Sequence, residues 1–66
     1  MKLIDVLDLV AKGKSPKIFK LYALEKEPFY YELDINGLYY EIDTGEEFTR
    51  TINLINCLNC EVECLD

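Results

Sequence analysis

Asn36-Gly37 lies between two aromatic-rich runs, residues 29–35 and 38–44. Few short signals restrict a fold as much. A two-residue type I′ turn needs positive φ at both central positions, and Asn-Gly supplies them at the lowest cost. A two-residue loop also dictates the pairing. Ile35 then faces Leu38, Asp34 faces Tyr39, Leu33 faces Tyr40, Glu32 faces Glu41, Tyr31 faces Ile42 and Tyr30 faces Asp43. Alternation along each strand sorts these side chains into two sets. Phe29, Tyr31, Leu33, Ile35, Leu38, Tyr40 and Ile42 form one face, which must be buried. Tyr30, Glu32, Asp34, Tyr39, Glu41 and Asp43 form the other, which must be wet.

The flanking segments suit such a hairpin. Leu3, Ile4, Val6, Leu7, Val10 and Ala11 recur at helical spacing, with Gly13 placed to close a helix over residues 3–12 and Pro16 to prevent its continuation. From Lys17 the period becomes two, with Phe19 and Leu21 on one side and Ile18, Lys20 and Tyr22 on the other. Glu25 to Pro28 is a polar break, since Pro28 cannot sit inside a central strand. Residues 44–47 read as a turn. Residues 48–55 fit a helical stripe through Phe48, Ile52 and Ile55, while Thr49 and Thr51 favour a strand; the reading leans towards extended structure. Cys60, Val62 and Cys64 alternate with Glu61 and Glu63, which predicts a last strand. The expected fold class is α+β, an N-terminal helix packed on a small antiparallel β-meander of three to four strands. Its core would hold Leu3, Leu7, Val10, Phe19, Leu21 and Val62 beside the inner hairpin face.

A chain of 66 residues supports a single domain over residues 1–66, and at this size only about 60% of the unfolded surface becomes buried. Homodimerisation would add to so small a core. No apolar run approaches the length of a membrane span, and the first ten residues, with Asp5 and Asp8, do not resemble a secretion signal. The expected compartment is the cytoplasm, and the odd count of three cysteines argues against a disulfide framework. The net charge is -6. It is concentrated after residue 26, where Arg50 is the one cation among ten carboxylates. Such a half repels phosphates and anionic lipid, so direct binding to nucleic acid or membrane is not expected. A basic partner is favoured.

Four groups of residues invite a chemical reading. Cys57, Cys60 and Cys64 suggest a metal clip, yet tetrahedral zinc takes four ligands and the chain contains no histidine. On one strand Cys60 and Cys64 would lie about 13 Å apart, so the cysteines read first as small apolar residues, and no cofactor is expected. Glu32, Asp34, Glu41 and Asp43 crowd one hairpin face, with Glu32 opposite Glu41, a destabilising pairing. A flat face cannot wrap calcium's six to eight oxygens; Lys20, if its strand lies alongside, would neutralise part of the charge. Tyr22, Tyr30 and Tyr39 among those acids make the best candidate for a protein interface, because tyrosine gives contact area at small entropic cost. Catalysis finds no support: Ser15 is the one serine, there is no glycine-rich phosphate loop, and an open face offers no pocket to shift a carboxylate pKa.

The opening from Met1 to Gly13, the Ser15-Pro16-Lys17-Ile18 that follows and the ending Leu58-Asn59-Cys60-Glu61-Val62-Glu63 resemble a group of short phage and prophage proteins of Gram-positive bacteria. Those begin with one helix, pass through a Tyr-rich hairpin and end in Leu-Asn-x-Glu-Val-Glu. The resemblance implies a small accessory protein, and an acidic residue in place of Cys60. The leading expectation is a non-catalytic interaction module that binds a protein through Tyr22, Tyr30, Glu32, Asp34, Tyr39, Glu41 and Asp43. The alternatives are an acidic, nucleic-acid-mimicking inhibitor of a host DNA-binding protein, and a small zinc-binding protein using Cys57, Cys60 and Cys64.

Overall fold

A computed structural model describes residues 1–23 and 27–66, so Glu25 and Lys26 of the expected polar break lie outside the described residues. Helix α1 spans Leu3–Ala11. The backbone N–H of Lys2 donates to Asp5 Oδ2 at 2.8 Å and Lys12 pairs with Asp8 at 2.8 Å, one turn away. At its end Gly13 adopts φ 74°, while the N–H groups of Gly13 and Lys14 return to the carbonyls of Val10 and Leu9. That is a Schellman closure, which satisfies carbonyls the helix cannot reach itself.

Four strands follow: β1 (Ile18–Tyr22), β2 (Phe29–Leu33), β3 (Tyr39–Glu41) and, after two short helices, β4 (Glu61–Cys64). They form one antiparallel sheet in the order β3-β2-β1-β4. The first three strands make the expected meander; the fourth returns across the molecule to pair with β1. Helix α2 (Phe48–Thr51) and helix α3 (Leu54–Cys57) replace the extended structure expected over residues 48–55. Only Ile52 and Asn53, between them, are extended. Phe48 explains the difference. A helical turn there lays its ring against Tyr31, Phe19 and Tyr39, with centroids 5.0, 6.0 and 6.4 Å away.

The core lies between one sheet face and the helices: Leu3 and Val6 from α1, Phe19, Leu21, Tyr31 and Val62 from the sheet, Phe48 from α2, and Cys60. Burying each of the larger side chains contributes about 1.5–3 kcal/mol. Val10 is an expected core residue that is exposed. None of the described helices is long and apolar enough to cross a membrane.

The hairpin differs from expectation by one residue, and the difference is large in effect. Tyr31 faces Glu41, Glu32 faces Tyr40 and Leu33 faces Tyr39. The loop therefore holds three residues rather than two. Asp34 sets it: its carbonyl accepts from Gly37 N–H, closing a four-residue turn, and its Oδ1 accepts from the N–H groups of Asn36 and Leu38, both at 2.9 Å. Gly37 takes φ 82°. This is a type I turn followed by a left-handed glycine, the usual three-residue hairpin. A slip of one position sends each later side chain to the opposite face. Tyr39 and Glu41 turn inward. Leu38 and Ile42, expected in the core, are exposed, Tyr40 leaves it too, and Ile35 at the tip is fully exposed.

Candidate functional site

All three helices contribute to the core on one side of the sheet, leaving the other side without a helix among the described residues. Register assigns its occupants. Lys20 stands between Tyr30 on β2 and Glu63 on β4, Tyr22 lies beside Glu61, and Ile18 stands beside Glu32, which faces Tyr40. Of the seven residues expected to meet a partner, Tyr22, Tyr30 and Glu32 are on this face. Tyr22 is 40% and Tyr30 38% exposed.

The other four are placed differently. Tyr39 is not on the outer face: its ring stacks edge-on against Phe19 at 4.9 Å, and its hydroxyl donates to the Pro16 carbonyl at 2.6 Å. Burial pushes its phenol pKa up. Glu41, the one buried charged residue among those described at 5% exposure, accepts from Asp43 N–H at 2.9 Å and from the Thr44 hydroxyl at 3.0 Å. It closes the turn after β3, with no direct pairing to Glu32. Asp34 is committed to the hairpin loop. Asp43 lies in the turn after β3, exposed.

Two acids missed by the hairpin argument take their place. Glu61 and Glu63 are exposed and reach this face because β4 lies beside β1. Their outward alternation was legible; the strand next to them was not. Among the described residues Lys20 forms no ion pair with either, while Glu61 pairs with the N-terminal ammonium at 3.6 Å. The Lys20 ammonium sits 4.9 Å from the Tyr22 ring centroid and 5.5 Å from that of Tyr30, and contact with these two side chains pushes its pKa up. Such cation–π contacts hold the two rings in a defined arrangement. Near the hairpin, Glu32, Asp34, Tyr40 and Ile42 line part of a shallow depression of about 220 Å³.

The three cysteines form no disulfide. Among the described residues no three of Cys, Asp or Glu come together as a metal-holding group. Cys64 places its sulfur 3.6 Å from that of Met1.

Both sheet edges are partly occupied. Met1 and Lys2 run along β4, with Val62 N–H donating to the Met1 carbonyl at 2.7 Å and Lys2 bridged to Glu61. On β3, Glu41 N–H donates to the Glu46 carbonyl at 2.8 Å. Strand addition by a partner, which needs a free edge, is thereby hindered on each side, and the face without a helix is what the sheet offers for contact. Compared with known proteins, the chain matches no family model, no curated protein and no solved structure.

Proposed function

We propose that the protein is a non-catalytic accessory interaction module, of the phage type its sequence resembles, acting in the cytoplasm by binding a basic protein surface on its open sheet face. One observation carries this reading: Tyr22 and Tyr30 are held partly exposed by Lys20 on a face that also presents Glu32, Glu61 and Glu63. Aromatic anchors surrounded by charge are what recognition of a charged protein surface uses. A second copy of the chain would set carboxylates against carboxylates, so dimerisation through this face is disfavoured. The nucleic-acid-mimicking inhibitor loses support because Asp34 and Glu41 are engaged in turns. The zinc reading loses support because no three of Cys, Asp or Glu come together among the described residues, and tetrahedral zinc takes four ligands.

The test begins with affinity purification from the native host and continues with the purified partner. Tyr30→Ala and Glu63→Gln should each weaken binding tenfold or more, about 1.4 kcal/mol, while the melting temperature stays put. Added salt should weaken the complex further. Wild-type affinity in both variants, or indifference to salt, would overturn the reading.

A further inference from the structure

Asn36 and Gly37 stand exposed at the tip of the β2–β3 hairpin. The amide carbon of an asparagine and the backbone nitrogen of the residue after it can close a succinimide ring. A side chain on that next residue crowds the nitrogen. Glycine has none, and the space around Gly37 is open. The chain's other asparagines, Asn53, Asn56 and Asn59, precede Leu54, Cys57 and Cys60, whose side chains hinder the same attack.

The folded loop opposes this reaction. Asn36 is the third residue of the type I turn, where ψ is held at about 0°, and Gly37 N–H is committed to the Asp34 carbonyl at 3.1 Å. Ring closure needs that bond broken and a rotation about the Asn36 Cα–C bond. Asp34 Oδ1 adds two more restraints, on the N–H groups of Asn36 and Leu38, each at 2.9 Å. All these bonds lie at an exposed tip that ends in β3, a strand of three residues. Such segments open locally while the rest of a domain stays folded.

We propose that Asn36 is a spontaneous deamidation site of the folded protein, gated by opening of the hairpin loop that Asp34 holds shut. Gly37 N bonds to Asn36 Cγ, the Cγ–Nδ2 bond breaks, and the Gly37 proton leaves with the amide nitrogen as ammonia. Water then opens the succinimide. Attack at Cγ gives aspartate; attack at the main-chain carbonyl gives isoaspartate, whose backbone runs through the former side chain. Water is the only co-reactant. Either product adds one negative charge to the net -6. Isoaspartate also lengthens a loop whose length sets the pairing of β2 with β3, the pairing that turns Tyr39 and Glu41 inward. A mark of age at the tip is thereby converted into a looser β3.

The test is incubation of the full chain at neutral pH, followed by peptide mapping with mass spectrometry and enzymatic labelling of isoaspartate. Product is expected at Asn36 ahead of Asn53, Asn56 and Asn59. Asp34→Ala should speed its formation about tenfold, whereas Asp34→Asn, which keeps an acceptor oxygen, should stay near the wild-type rate. Should Asp34→Ala unfold by circular dichroism, the wild-type rate in urea below the unfolding transition decides. Local opening exposes little surface, so that rate should hardly depend on urea. An intact Asn36 in the folded protein overturns the proposal. So does a rate that Asp34→Ala leaves unchanged, or one that climbs with urea as steeply as global unfolding does.

Discussion

Glu41 accepts hydrogen bonds from Asp43 N–H and from the Thr44 hydroxyl, so its carboxylate acts as a structural acceptor. Hydrogen bonds to a charged group contribute about 1.5–3 kcal/mol. Glu41→Ala should lower the urea unfolding free energy by about that amount, whereas Glu32→Ala, on the open face, should stay within about 0.5 kcal/mol. Equal effects would contradict the observed register. Neighbouring tyrosines give a sharper contrast. Tyr39→Ala removes a ring packed on Phe19 and the bond to Pro16 and should cost about 3 kcal/mol or more. Tyr40→Ala, which faces Glu32, should barely move the melting temperature. At this scale the sequence was readable up to Asp34. Tyr22, Tyr30 and Glu32 precede the turn and their alternation placed them correctly; Tyr39 and Glu41 follow it, and a one-residue error in the loop reversed them.

At the scale of elements, that loop is the decisive local structure. Asp at the first position and Gly at the fourth is itself a type I signature, and Asp34-Ile35-Asn36-Gly37 carries it. The Asn-Gly pair outweighed it because the two turns share those residues. What separates them is the Asp34 side chain, bonded to two backbone N–H groups. Gly37→Ala would force a Cβ into left-handed backbone, costing roughly 1–2 kcal/mol, although its surroundings are open. The loss should appear in chemical unfolding with the slope unchanged; an unaltered midpoint would show that the residue does not need φ 82°. Helices α2 and α3 were not legible for a different reason. Four residues make one turn, too few for a period to show, and the packing of Phe48 on the aromatic cluster selects the helical form. By contrast α1, long enough to display its stripe and closed by Gly13, was readable almost to the residue.

For the molecule as a whole, titration gives a further check. Burial raises the phenol pKa of Tyr31 and of Tyr39 above the ordinary 10.0, with Thr51 partly offsetting the effect at Tyr31. Lys20 is raised above 10.5 by Tyr22 and Tyr30. In all three cases the folded form keeps its proton longer than the unfolded chain does. Their contribution is therefore complete below the unfolded values and lost as pH climbs through the folded ones. Asp66 runs the other way. The backbone N–H groups of Lys17, at 2.8 Å, and Ile18 hold its carboxyl below 3.8, so its contribution is present above that value and lost as pH falls below it. Stability followed by circular dichroism should decline above about pH 10 together with tyrosinate absorbance, and Asp66→Asn should flatten part of the acid limb. Ring signals of Tyr31 or Tyr39 that titrate well before unfolding, followed by NMR, would contradict their packing. The α+β class was accessible from pattern alone, but the placement of β4 beside β1 was not, since nothing local to residues 61–64 names a neighbour.

That placement ties the two ends of the chain together. The first N–H groups of α1, on Leu3 and Ile4, donate to the carbonyls of Cys60 and Leu58, each at 3.0 Å, while Met1 lies along Val62. A nascent polypeptide therefore leaves the start of its first helix uncapped, and β1 short of one flank, until residues 58–64 have cleared the ribosome. Docking of residues 58–64 completes the helix start and the sheet together, so the formation of α1 is coupled to that of β4.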